Sequence, residues 1–194
     1  MNNKKTQRGA ALPISLFVLL GLTIASASLF RTSEMSVNLA GNIGLRTMTG
    51  HANDNSVSQA INWLLTNQAT LKNTNASQGY LSSYAANNDI DYNKDSAWAV
   101  SKSLAKDSLG NTSKYIIYRM CTQADTAYNG SNSGVYNNCA TKTSTASSNY
   151  GNSTGFGSYN FQGQPTLYYK IISQTVGPKG AKTITSTIVG LTAS

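Results

Sequence analysis

At 194 residues, with hydrophobic residues at 40% and charged residues at only 11%, the chain has room for one domain and an apolar anchoring segment, and its surface is built from neutral polar groups. The net charge of +8 includes Lys4, Lys5 and Arg8, which stand before a long apolar run; setting these three aside leaves a net charge of +5, with the remaining basic residues spread singly along the chain. No cluster of Lys or Arg forms the footprint of a nucleic-acid surface, so specific nucleic-acid binding is excluded as an expectation.

The first element is the run from Ala10 to Phe30, in which no residue is charged. As a helix it is about 31 Å long, which matches the hydrocarbon thickness of a bilayer. The basic residues before it place the N-terminus in the cytoplasm and the remainder outside. Three accounts compete here. A cleaved secretory signal has its site at Ala25-Ser26-Ala27, but Leu29 and Phe30 carry the apolar stretch past it. A plain uncleaved anchor leaves the flanking residues unexplained, and a lipoprotein is excluded because no cysteine lies nearby.

The third account rests on the residues themselves. "QRGAALPISLF" resembles the start of a type IV prepilin, a short basic leader ending in glycine and followed by an apolar helix. "FRTSEMSVNLAGNIGLR" is similar to a segment of the PilX-type minor pilins, with Glu34, Met35 and Ala40-Gly41-Asn42 at the matching places. The resemblance covers about the first 65 residues, with general layout alone beyond them. It implies cleavage by prepilin peptidase between Gly9 and Ala10 and methylation of the new amino terminus at Ala10. It further implies residence in the inner membrane of a Gram-negative bacterium with the head in the periplasm, followed by passage into the extracellular pilus (fimbrium). The implied partners are the major pilin, other minor pilins, the inner-membrane assembly machinery and a tip adhesin; the implied role is structural, in assembly and cell adhesion, not that of an enzyme. Two residues depart from the family pattern. Ile14 stands where most pilins carry a glutamate, which suits a rare subunit at the filament end, and Ala10 replaces the usual phenylalanine. Alternatives on the same anchor are a pilus-tip adhesin and a minor pseudopilin of a type II secretion system.

Beyond the span, Gly41, Gly44 and Gly50 each disfavour a helix by about 1 kcal/mol relative to alanine, which predicts a kinked or loosened helix there. Glu34 either marks the end of the membrane, pairs with Arg31 on the same face, or pairs with a neighbouring subunit's arginine; the resemblance favours the subunit interface for Ile14, Arg31 and Glu34. Val57, Ala60, Ile61, Leu64 and Leu65 recur at helical spacing and are expected to pack on the head, with Trp63 in that contact or at its rim. The expected organisation is therefore a leader over 1–9, a membrane or filament-core helix over 10–30, its amphipathic continuation over 31–68 and a globular head over 69–194.

In the head the period changes. "KYIIYRMC" (114–121), "LYYKIISQTV" (167–176) and "KTITSTIVGL" (182–191) read as strands, the last two joined by the turn Gly177-Pro178-Lys179-Gly180. "AWAVS" (97–101) is a further short candidate. The fold class is α+β: a long N-terminal helix packed on a C-terminal antiparallel sheet, a layout in agreement with the pilin fold. Cys121 and Cys139, an even pair in an exported chain, are expected to form a disulfide contributing about 3 kcal/mol by loop closure.

Chemistry is sparse. Asp89, Asp91, Asn93 and Asp95 alternate like the first half of a calcium loop, but an EF-hand needs glycine and glutamate where Lys94 and Val100 stand, leaving a solvated acidic turn or a looser oxygen-ligated calcium site. No other cofactor is expected. His51, the only histidine, and Glu34, the only glutamate, both fall in the helical stalk, so no nucleophile–base pair is visible in the head. Residues 140–164 read as a surface loop; Tyr150, Phe156 and Tyr159 give it a competing reading as a binding loop, because tyrosine-rich loops supply contact area at small entropic cost.

Overall fold

The computed structural model describes residues 11–84, 90–142 and 165–193. Helix α1 runs without interruption over Ala11–Thr66, 56 residues. The chain divides into two compact units, residues 1–45 and 46–194, so the boundary falls inside this helix. The loosening expected at Gly41, Gly44 and Gly50 is absent: all three have helical backbone, and an added Cβ at any of them would meet nothing within 4 Å. Their penalty is spread over a long, otherwise favourable segment.

In the second unit the helix lies on a six-stranded sheet. Its strands are β1 (Tyr80–Leu81), β2 (Lys102–Ser103), β3 (Thr112–Arg119), β6 (Thr141–Lys142), β7 (Thr166–Val176) and β8 (Lys182–Thr192), while β4 (Ser131–Asn132) and β5 (Val135–Tyr136) form a separate small hairpin. β7 is central. It pairs antiparallel with β3 and β6 on one side and with β8 on the other. The sheet is mixed, not purely antiparallel, because β1 joins β3 in parallel. The three strands read from alternation are the three long ones, and the turn at 177–180 connects β7 to β8, with Lys179 and Gly180 in the left-handed region (φ 58° and 77°).

"AWAVS" is not a strand. Asp95–Trp98 is a short 3-10 helix that turns the Trp98 ring onto the outer face of the sheet, against Ile116, Tyr118 and Ile172. The Trp98 indole N–H donates to the Tyr92 carbonyl at 3.0 Å, and Ser101 Oγ donates to the Trp98 carbonyl at 2.6 Å. A tryptophan is amphipathic, and this turn lets its ring go under while its N–H keeps a partner.

The inner face of the sheet receives α1 through two chemically distinct stripes. At the lower end Ala60 and Leu64 are buried against Tyr80, Tyr115, Ile117, Tyr169 and Ile171, as the helical spacing predicts. Ile61 and Trp63 pack at the rim, Val57 is half-buried, and Leu65 is exposed. One to three turns earlier the same helix face is polar: Thr49, Asn53 and Ser56 are fully buried. Thr49 and Thr183 share a hydroxyl–hydroxyl bond of 3.0 Å. Asn53 Nδ2 donates to Thr185 Oγ1, and Asn53 Oδ1 accepts from Thr175 Oγ1 at 3.2 Å. Hydrogen-bonded polar contacts fix register more narrowly than aliphatic ones, since a slip leaves buried groups unpaired.

Gly177 is where the β7–β8 turn meets the helix. A Cβ there would stand 2.4 Å from Thr49 Cγ2 and 2.8 Å from Asn111 Oδ1. Thr49 cannot retreat freely, because its hydroxyl is bonded to the Arg46 carbonyl and to Thr183. Gly177→Ala is expected to destabilise the head by about 2 kcal/mol by overpacking, read as a lowered thermal midpoint. Gly180→Ala on the open side of the same turn provides the comparison for backbone strain alone, since nothing lies within 4 Å there.

Candidate functional site

Three regions carry the residues singled out from the sequence. The first is the helix of the N-terminal unit. Every side chain from Leu12 to Gly44 is exposed, including Ile14, Arg31 and Glu34. Within the uncharged part the hydroxyls turn back on the helix: Ser15 donates to the Leu12 carbonyl (2.9 Å), Thr23 to Leu20 (2.8 Å) and Ser26 to Leu22 (2.8 Å). Their donor groups are thereby satisfied internally, which is what an apolar solvent demands of a polar side chain. This is one helix long and apolar enough to cross a membrane. Apolar side chains continue beyond the first charge, at Met35, Val37 and Leu39. Gly9 and Ala10, the cleavage and methylation positions, lie outside the described residues.

The second region is the acidic stretch. Asp91 Oδ1 accepts from the Asn93 backbone N–H (3.0 Å) and from Asn93 Nδ2 (3.1 Å), and Asp95 opens the 3-10 turn. The Asp91 carboxylate thus closes a local turn on itself. Asp89 lies outside the described residues, and among those described no group of three His, Cys, Asp or Glu side chains could hold a metal ion. Close by, lysines lie on aromatic faces: Lys114 Nζ is 5.0 Å from the Trp98 ring centre and Lys170 Nζ is 4.8 Å from that of Tyr84. Such contacts anchor the covering segment to the sheet by cation–π attraction.

The third region is the disulfide loop. Cys121 and Cys139 are bonded, and they face each other as an antiparallel bridge. The sequence reading missed the residue that organises the loop. Arg119 is only 2% exposed. Its Nε donates to the Ser82 carbonyl (2.9 Å) and its Nη2 to the Thr126 carbonyl (2.5 Å). Asn137 works from the other side, donating through Nδ2 to the Thr126 and Ala127 carbonyls and accepting from the Gln123 N–H. A signal was present: Arg119 has the same parity as Tyr115 and Ile117 in β3, so alternation alone puts it on the inner face. Tyr150, Phe156 and Tyr159 lie outside the described residues.

Asp125 sits on this loop in the left-handed region (φ 54°) and accepts from the Thr74 backbone N–H at 2.6 Å and from Ser82 Oγ at 3.1 Å. The Thr74 N–H chiefly, with smaller help from the Thr74 and Ser82 hydroxyls and Arg119, holds its carboxyl below the ordinary carboxylate value. A depressed pKa contributes stability that is present above the unfolded value and is lost as pH falls through the folded one. Asp125→Asn is therefore expected to lower the head's thermal midpoint at neutral pH and to narrow its gap from the parent as pH falls below about 4. A gap that stayed constant through acid would show that the charge itself does not act.

His51 is exposed on α1. Comparison with family models, curated proteins and solved structures finds no match in any of the three.

Proposed function

We propose that the chain is a minor pilin of the PilX type, cut between Gly9 and Ala10, methylated at Ala10, and assembled at or near the end of a type IV pilus. The observation that carries this reading is the single helix Ala11–Thr66, whose first part is apolar and exposed and whose last part is the docked spine of the head. A cleaved signal separates from its domain, and a simple anchor needs no shared helix; a pilin needs both functions in one continuous element. The apolar first part is held in the bilayer before assembly and packs against neighbouring helices afterwards, where small residues such as Gly21, Ala25 and Ala27 permit close approach. Ile14 removes a carboxylate that is costly in lipid unless paired, so this subunit relies on partners for recruitment into the filament. The head, with its disulfide loop, faces the periplasm and then the exterior.

Deleting the gene and counting surface filaments tests the role. Loss of pili, restored by the full chain, is the expected result. Normal pilus numbers with lost surface binding overturn the assembly role in favour of an adhesin.

A further inference from the structure

β8 is the outermost long strand of the sheet and, among the described residues, pairs on one side only, with β7 along all eleven positions from Val176–Lys182 to Thr166–Thr192. That register advances without a skipped residue, so no bulge twists the edge away. Its sequence, KTITSTIVGLT, contains no proline, and its sole charge is Lys182 at the first position. Exposed edges in soluble proteins are guarded by bulges, prolines or charges along their length, because the free N–H and C=O groups template further pairing. β8 has none of these over Thr183–Thr192. It is also held in register from below, since Thr183 and Thr185 are bonded to Thr49 and Asn53 of α1 and Val189 and Leu191 pack against the core. On the outer face Ile188 is 57% exposed.

We infer that the β8 edge is a binding site for an extended strand of a different protein, added antiparallel to the sheet. The chemistry of the edge describes the occupant. An acidic residue faces Lys182, the only charge on the edge, whose Nζ in the free chain reaches the Asn93 carbonyl at 3.4 Å, and apolar residues cover the exposed Ile188 beside the half-buried Ile184 on the outer face. Main-chain bonds supply affinity and these alternate positions supply selectivity. A second β8 does not supply that acidic residue, because KTITSTIVGLT contains no Asp or Glu, so the occupant is a strand of another protein.

The test uses the full chain in detergent micelles and a synthetic peptide as long as β8, alternating valine and threonine and ending in glutamate, which antiparallel pairing sets opposite Lys182. Saturable binding with slowed hydrogen exchange at alternate β8 amides is expected. Ile188→Lys should weaken binding about tenfold and leave the thermal midpoint unchanged, because Ile188 is exposed. A peptide with lysine in place of the glutamate should bind more weakly. No binding, or no slowing in β8, overturns the proposal. So does a free chain whose outward β8 amides are already slow, since the edge is then filled by the chain itself, and so does a free chain that dimerises through β8. Alkaline extraction of membranes reports separately on the anchor: release into the soluble fraction removes the membrane reading and leaves the peptide result standing.

Discussion

Leu64→Ala is expected to destabilise the head by about 4 kcal/mol, lowering its thermal midpoint by about 10 °C. Leu64 is 0% exposed and is the largest aliphatic side chain that α1 contributes to the core. It packs among Tyr80, Tyr115, Ile117, Tyr169 and Ile171, rings and branched chains on a sheet pinned from both sides. Trp63 and Tyr80 (ring centres 5.4 Å apart) and Tyr80 and Tyr169 (6.5 Å) brace one another, and the buried Tyr80 hydroxyl donates to the Leu71 carbonyl at 2.5 Å. These neighbours cannot collapse easily into the cavity, which places the cost in the upper part of the usual range. Leu65→Ala, one position along and exposed, should change the midpoint very little. Equal effects at the two positions would mean that α1 does not dock on this face.

Leu20→Arg is expected to abolish stable anchoring. Leu20 lies at the middle of the uncharged run, where an arginine opposes insertion by about 3 kcal/mol, more than a hundredfold in partition. The local hydroxyls are already satisfied by the helix's own carbonyls and offer the guanidinium no partner. In alkaline-washed membranes the parent chain should stay in the pellet and the variant should be depleted, with Leu20→Ile behaving as the parent. Retention of Leu20→Arg at the parental level would count against a membrane location for this segment.

The long elements were legible because each carries its own period. Alternation marks β3, β7 and β8, and glycine and proline at 177–180 mark the hairpin. The lower docking stripe at Ala60 and Leu64 was legible for the same reason. Its continuation was not, because Thr49, Asn53 and Ser56 have the composition of a solvated face; only the matching threonines of β7 and β8 make them core residues. β1, β2 and β6 are two residues long, too short for any period, and the parallel pairing of β1 with β3 leaves no local trace. The helix across Gly41–Gly50 was misjudged because residue preference is a weak, local term. Of the site residues, the cysteine pairing was readable from number and context. Arg119 was hidden because a lone arginine looks like surface until its parity in β3 is weighed.

The most direct measurement is mass spectrometry of the N-terminal peptide, from membranes and from sheared surface filaments. A methylated peptide beginning at Ala10 is expected in both. A mature start at Ser28, or an intact Met1, would contradict it.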